Sequence, residues 1–570
     1  MPTEAPGSPL LPRLDALPTG FRWVALFLML HAAVLLLPAI AHPSTQLPGH
    51  ELPDLPGMYN IWWLVYEQGM SGAMHSKMIM YPAVTDRFTI QGFPLDALFG
   101  WPFCAAFGLT AGFTLGVWSF LGAAGISMAW LCARWWKSAI GGLAGGIAFQ
   151  TAGIYLREIN QGRAVHVLGA AFVPVAIALA MDATDRGGAG SRASRATAAI
   201  LCGLCAAGCA LAYWYWGVFL VVMLLMTAIA CFPERRPLVG AIGLIIASGM
   251  VGAGGPLLYT LAQAGSHGGV NAQIFDVVAH TSRLIDLLEF RDLGSATESD
   301  GATMIRPVSG LLCLLACFAQ RRRTLLPFLW LIVGFLLALG PVIQLPRLFG
   351  VDGVSLPGPF ITVSMLPLLR RLWWPDRMLF VGAVGFALMV AGGASRLVAR
   401  WRWTAAPVVI LLLIEPWVMS TNLPMEVTDL TSARLAGVAT VLGSGEGPFL
   451  ELPLTNPNGF ADLDFFLLQP LYQRATVNGS IEPDGEIAPA AYKVLYSSGP
   501  TADIYACEGG PAQPSTSDSA EVLSWLKTAG VNDVYIDMER ANKFCAKYLD
   551  CITHLLGPGT DAGKFRTYHF

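Results

Sequence analysis

The chain has 570 residues, 54% of them hydrophobic and 13% charged, with a mean hydropathy of +0.56. Soluble domains carry about 25% charged residues, so this composition belongs to a polytopic membrane protein. A net charge of -3 and a pI near 6.3 leave no basic excess, which excludes nucleic acid as a partner.

The first 21 residues are proline-rich with Arg13 as their one basic residue, and they read as a cytoplasmic tail. Arg22 to Ala41 is a mostly apolar run of about 20 residues, the length a helix needs to cross a bilayer. Leu37 to Ala41 has the small residues of a signal-peptidase site, but the tail lacks the basic region of a signal peptide. The run is therefore expected to stay as a span.

The loop that follows, His42 to Tyr66, holds His50, Glu51 and Asp54 ahead of an amphipathic aromatic segment with Trp62, Trp63 and Tyr66. Such aromatics sit at membrane interfaces. A carboxylate held there is a candidate for chemistry on a lipid-borne substrate, although acidic residues in an outer loop are common in themselves. Phe93 to Gly108 is apolar but interrupted by Pro94, Asp96 and Pro102, and reads as a membrane-embedded or surface-lying helix within a first outer region, 42–110.

Skipping that segment gives ten more spans, near 111–133, 138–154, 165–182, 197–214, 216–232, 238–262, 307–319, 324–343, 378–395 and 404–421. The basic residues Arg134, Lys137, Arg186, Arg192, Arg195, Arg235, Arg236, Arg321, Arg322, Arg323, Arg396, Arg400 and Arg402 then fall in cytoplasmic links, as the positive-inside rule requires. The expected architecture is an α-helical polytopic membrane protein with about eleven transmembrane helices over 22–421. Outside the membrane lie Arg157, Glu158 and Arg163 in a short polar link, the aromatic turn Tyr213 to Trp216, His280, Arg283 and Arg291 in a long loop, and Arg370, Arg371 and Arg377 in another. Each such charge near a bilayer needs a partner or water, and a snorkelling interfacial arginine is the plain alternative for any one of them.

From about Thr428 the pattern changes to alternating strands and helices. Strands are expected at Gly447–Pro453, Ala475–Gly479, Gly530–Asp537 and Lys564–Phe570, with helices at Ala461–Tyr472, Ala488–Tyr496, Ser519–Lys527 and Ala541–Leu556. They make a C-terminal extracytoplasmic α/β domain over 422–570 without phosphate loop, metal spacing or nucleophile elbow, suited to covering or partner binding. Eight of the eleven cysteines lie in apolar segments as small hydrophobes. Of the other three, Cys507, Cys545 and Cys551, the last two are close enough in sequence to pair in an oxidising compartment, which sequence leaves open. Gly141, Gly142, Gly145 and Gly146 point to close helix packing.

The order of parts, with the local sequences Asp54–Trp63 (DLPGMYNIWW), Tyr81-Pro82, Glu158–His166 (EINQGRAVH), Leu366–Arg377 (LPLLRRLWWPDR), Leu450–Pro453 and Val534–Ile536, resembles the GT-C superfamily of polytopic glycosyltransferases. Within it, the chain is similar to bacterial members related to protein mannosyltransferases. The resemblance implies an integral protein of the bacterial inner membrane taking a sugar from a polyprenyl-phosphate donor to a glycan, lipid or protein acceptor, with Asp54 as catalytic base. Many members have two adjacent carboxylates; here Glu51 and Asp54 are three apart, around Pro53. The resemblance admits a divalent cation, which some relatives use, but no ligand cluster compels one.

Such a transfer needs a base for the acceptor hydroxyl and stabilisation of the departing phosphate. On this reading Asp54 is the base and Glu51 or His50 orients it or the acceptor. Arg157, Arg163, Arg371 or Arg377 grips the phosphate, and Glu158, Trp62 and Tyr66 complete the substrate-binding set. The rival readings are a non-catalytic binder of a lipid-linked glycan and a transporter of a small solute; the scarcity of polar residues at mid-span argues against the second.

Overall fold

The computed structural model describes residues 17–50, 54–80, 85–86, 93–163, 166–184, 192–230, 238–266, 305–319, 321–344, 355–364, 375–420, 423–454, 464–478, 500–508, 519–543 and 547–570. The chain forms two compact units: Met1–Pro43 with Thr114–Leu258 and Asn271–Val427, and Ser44–Phe113 with Tyr259–Val270 and Thr428–Phe570.

The first unit is helical. Each of the eleven apolar segments carries a helix, because an apolar run satisfies its backbone polar groups internally only in that form. Among the described residues five helices are long and apolar enough to cross a membrane: Leu109–Trp136, His166–Thr184, Ala193–Ala212, Pro375–Arg400 and Arg402–Met419. Ala139–Gln150 and Gly153–Asn160, bent by 40° at Thr151-Ala152, make a sixth if taken as one span.

The helix Leu379–Arg400 is the core of this unit: every residue from Leu379 to Ala394 is buried. It packs against Pro307–Ala319, Arg321–Ala338 and Ala139–Gln150. Small residues permit the approach. A methyl group at Gly393 would lie 1.9 Å from the Leu312 carbonyl oxygen, and one at Gly145 would lie 2.4 Å from Cys132 Sγ. The glycines at 141–146 thus serve close packing, as their spacing suggests.

The second unit has a four-stranded sheet. Phe449–Leu452 runs parallel to Asp533–Asp537, which is antiparallel to Phe565–His569, itself paired with Thr560–Ala562. The two parallel strands are buried throughout, and their acidic residues are paired there, Glu451 with Arg540, Asp533 with Arg474 and Asp537 with Lys564. Leu450, Leu452, Val522, Leu526, Val534, Ile536 and Ile552 form the core, and Met80 from the outer-loop segment joins it. Among the described residues of the C-terminal part, three helices fall outside the sequence expectations: Ala433–Gly443, Pro500–Cys507 and the short Met538–Ala541. The expected helix 488–496 and residue Cys545 lie outside the described residues. Cys551 is bonded to Cys507, which decides the cysteine pairing differently from the closer Cys545.

This unit also holds the helix Leu55–Met74 and the helix Leu95–Phe107. The latter has 13 residues, about 20 Å of length against roughly 30 Å of hydrocarbon.

Candidate functional site

In the first unit the polar link becomes part of a helix. At the bend, Arg306 donates to the Thr151 carbonyl at 2.6 Å, satisfying a group the broken helix leaves open. The helix Gly153–Asn160 then ends at Gly162, whose φ of 76° suits glycine. The Gly162 amide bonds to the Ile159 carbonyl at 2.9 Å and the Arg163 amide to that of Glu158 at 2.7 Å, a Schellman motif. This local turn folds Arg163 back onto Glu158, five positions before it.

The result is a buried cluster around Glu158. Its carboxylate accepts from His166 Nδ1 at 2.6 Å and from the Arg157 guanidinium at 3.2 Å. Arg377 lies 3.5 Å away and Arg163 3.7 Å away. Arg157 pairs also with Asp376 at 2.6 Å. Arg377 donates to the Tyr213 hydroxyl and lies over the rings of Tyr213 and Tyr215, at 5.1 and 5.5 Å. His166 stacks on Tyr213 with centroids 3.9 Å apart. Arg157, Glu158, Arg163, His166, Asp376 and Arg377 are all buried.

Three guanidinium groups therefore face two carboxylates, leaving one positive charge in excess while His166 is neutral. Buried charges persist only when paired in this way. Three arginines singled out in the sequence are thus together here, with Glu158 between them. His166, Asp376, Tyr213 and Tyr215 were not assigned roles by sequence, although Tyr213, Tyr215 and Asp376 lie in stretches it marked as outer and His166 opens an expected span. The signal was adjacency: His166 closes EINQGRAVH and Asp376 precedes Arg377.

In the second unit Asp54 caps the helix Leu55–Met74 at its N-terminus and is partly exposed; its side chain makes no capping bond to the helix amides. His50 is exposed, and Glu51 and Arg371 lie outside the described residues. Tyr66 is partly exposed, whereas Trp62 is buried and donates from Nε1 to Asp96 at 2.5 Å. Trp62 also packs edge-on against Phe113, and Tyr59 bonds to Thr110 at 2.8 Å. Burial pushes the Asp96 carboxyl up to about 6, against the Trp62 and backbone hydrogen bonds that favour its ionised form. Among the described residues no group of three or more His, Cys, Asp or Glu side chains converges as a metal site.

No protein-family model and no curated protein matches the sequence. Solved structures do match. ArnT from Cupriavidus metallidurans, bound to undecaprenyl phosphate, overlays with a TM-score of 0.52 at 13% identity, covering 96% of this chain and 98% of ArnT. The apo state of ArnT gives the same figures. An oligosaccharyltransferase from Archaeoglobus fulgidus, in complex with Zn and sulfate, covers 94% of this chain and 70% of its own at 12% identity, with a TM-score of 0.49 too loose to bear weight. The agreement with ArnT extends over nearly the whole of both chains, and on it this chain has the fold of ArnT, carried by helices long and apolar enough to cross a membrane.

Proposed function

We propose that the chain is a membrane glycosyltransferase that moves a sugar from a polyprenyl-phosphate-linked donor to an acceptor outside the cytoplasm, with Asp54 as base. The observation that carries this reading is the end-to-end overlay on ArnT, whose structure holds undecaprenyl phosphate. The acceptor oxygen attacks the anomeric carbon and its proton passes to the Asp54 carboxylate. The bond to the phosphate oxygen breaks, with its electron pair left on the phosphate. A leaving phosphate needs charge stabilisation more than a proton, and guanidinium groups supply it bidentately. Arg157, Arg163 and Arg377 are the donors of choice because their cluster keeps a net positive charge after Glu158 and Asp376 are counted.

About eleven spans, a cytoplasmic N-terminus and an extracytoplasmic C-terminal domain complete the proposal. The Cys507–Cys551 bond supports that side, since disulfides persist in oxidising compartments. The test is turnover by the purified protein in nanodiscs, offered a panel of polyprenyl-phosphate and polyprenyl-pyrophosphate sugars, with release of lipid phosphate as readout. Asp54→Asn should abolish release while the protein stays folded and inserted. Release retained by that variant would reject Asp54 as base, and binding of a donor without release by the wild type would favour the non-catalytic reading.

A further inference from the structure

The outer-loop segment that carries Asp54 is fastened to the C-terminal part of the chain at three places within the second unit. At its entry, the Leu430 amide donates to the Thr45 carbonyl at 2.9 Å and the Thr428 hydroxyl to that of Gly49 at 2.9 Å. At its exit, the Met78 carbonyl accepts from the Thr476 amide at 2.9 Å, and the Met80 amide donates to the Asn478 carbonyl at 3.0 Å. Ala475 and Val477 in turn bond to Phe449, so Met78–Met80 extends the edge of the sheet.

The third fastening lies between these two. Asn60, within the first two turns after Asp54, donates from Nδ2 to Gln469 Oε1 at 2.7 Å and to the Phe466 carbonyl at 3.4 Å. Gln469 uses its own amide group on the carbonyls of Met78, at 2.7 Å, and Arg474, at 2.9 Å. Both side chains are fully buried. The exit clamp cannot orient Asp54 by itself, because Gly69, with φ 68° and ψ 178°, breaks the helix between them. Gln469 thereby couples the first two turns of this helix to the exit clamp.

We propose that Gln469 is a positioning residue for the transfer reaction, holding the Asp54 end of the helix to the C-terminal sheet through Asn60. The proposal rests on the glycosyltransferase reading for its kinetic consequence, but not for its structural one. A buried amide hydrogen-bonded on all sides fixes one geometry, and a displacement of about 1 Å at a reacting group costs up to roughly 100-fold in rate.

The test uses the full-length protein in nanodiscs, with Gln469→Met to remove the polar groups at similar volume and Asn60→Leu to remove them from the other side. Hydrogen exchange is followed in a peptide covering Asp54–Trp63 and in one covering Asp533–Asp537, alongside kcat and KM for the donor. Exchange of the Asp54–Trp63 peptide should rise roughly 10-fold or more in each variant with the sheet peptide unchanged, and kcat should fall by about 10- to 100-fold with KM little altered. The double variant should be no worse than either single one. Unchanged exchange at Asp54–Trp63 in both variants overturns the proposal, as does unchanged kcat when that exchange rises. If the wild type turns over no donor, the glycosyltransferase reading fails, while the exchange data still decide whether Gln469 holds the helix.

Discussion

Replacing Glu158 by Gln removes one charge from the cluster of the first unit without changing its shape. The amide oxygen can still accept from His166, but the amide nitrogen then stands where the carboxylate accepted from Arg157, so one acceptor is lost together with the charge. Three guanidinium groups would then face Asp376 only, and the buried excess rises from one positive charge to two. Breaking a buried ion pair by removing one partner costs about 3–5 kcal/mol. At about 2–4 °C per kcal/mol for a unit of 150–250 residues, and less for a larger one, the melting temperature of the purified protein should fall by on the order of 5 °C. A second substitution, Arg163→Gln, removes a cation that Glu158 no longer balances, so the double variant should recover part of the loss. The measurement is thermal unfolding in detergent for the full double-mutant cycle, with a coupling of about 1 kcal/mol or more expected. A fall of less than about 1 °C in the first variant, or additivity within about 0.5 kcal/mol, would falsify the account of Glu158 as the hub of a mutually balanced network.

Two further outcomes are expected in the C-terminal sheet. Burial raises the Asp537 carboxyl, but its bond from Lys564 at 2.7 Å, with Arg540 and the helix amides, outweighs that and holds it below the usual carboxylate range. A carboxyl lowered on folding stabilises above its unfolded pKa of about 3.9 and loses that contribution as pH falls through the folded value. The hydrogen-exchange protection factors at Asp533–Asp537 should therefore fall below about pH 4, and less steeply in Asp537→Asn; equal acid sensitivity in both would exclude this group as the cause. Cys507 and Cys551 close a separation of 44 residues, worth about 2–4 kcal/mol in typical disulfides. Cys507→Ser should lower the midpoint of unfolding for the second unit, and an impermeant maleimide should reach Cys551 from outside intact cells only in that variant or after reduction. Labelling restricted to permeabilised cells would place the bond on the other side of the membrane.

Much of this organisation is legible in the chain itself. Each of the eleven apolar runs of the first unit carries a helix, because hydrophobic length acts locally and each such run must close its own hydrogen bonds. The interruptions at Pro94, Asp96 and Pro102 marked a short helix, and short strand-like runs set between helical segments marked the strands at Phe449–Leu452, Asp533–Asp537 and Phe565–His569. The charges on the polar links were flagged as needing partners, which is a statement of cost that any arginine near a bilayer carries. Which partners they take is another matter. Arg377 meets Tyr213 across 164 positions and Asn60 meets Gln469 across 409, and neither pair has a period or spacing that could announce it. Cys551 takes Cys507 over the closer Cys545. The bonding of the acidic loop into the edge of the C-terminal sheet is of the same kind. Backbone edges offer the same N–H and C=O groups whatever the sequence, so only the tertiary arrangement decides which edge receives which strand.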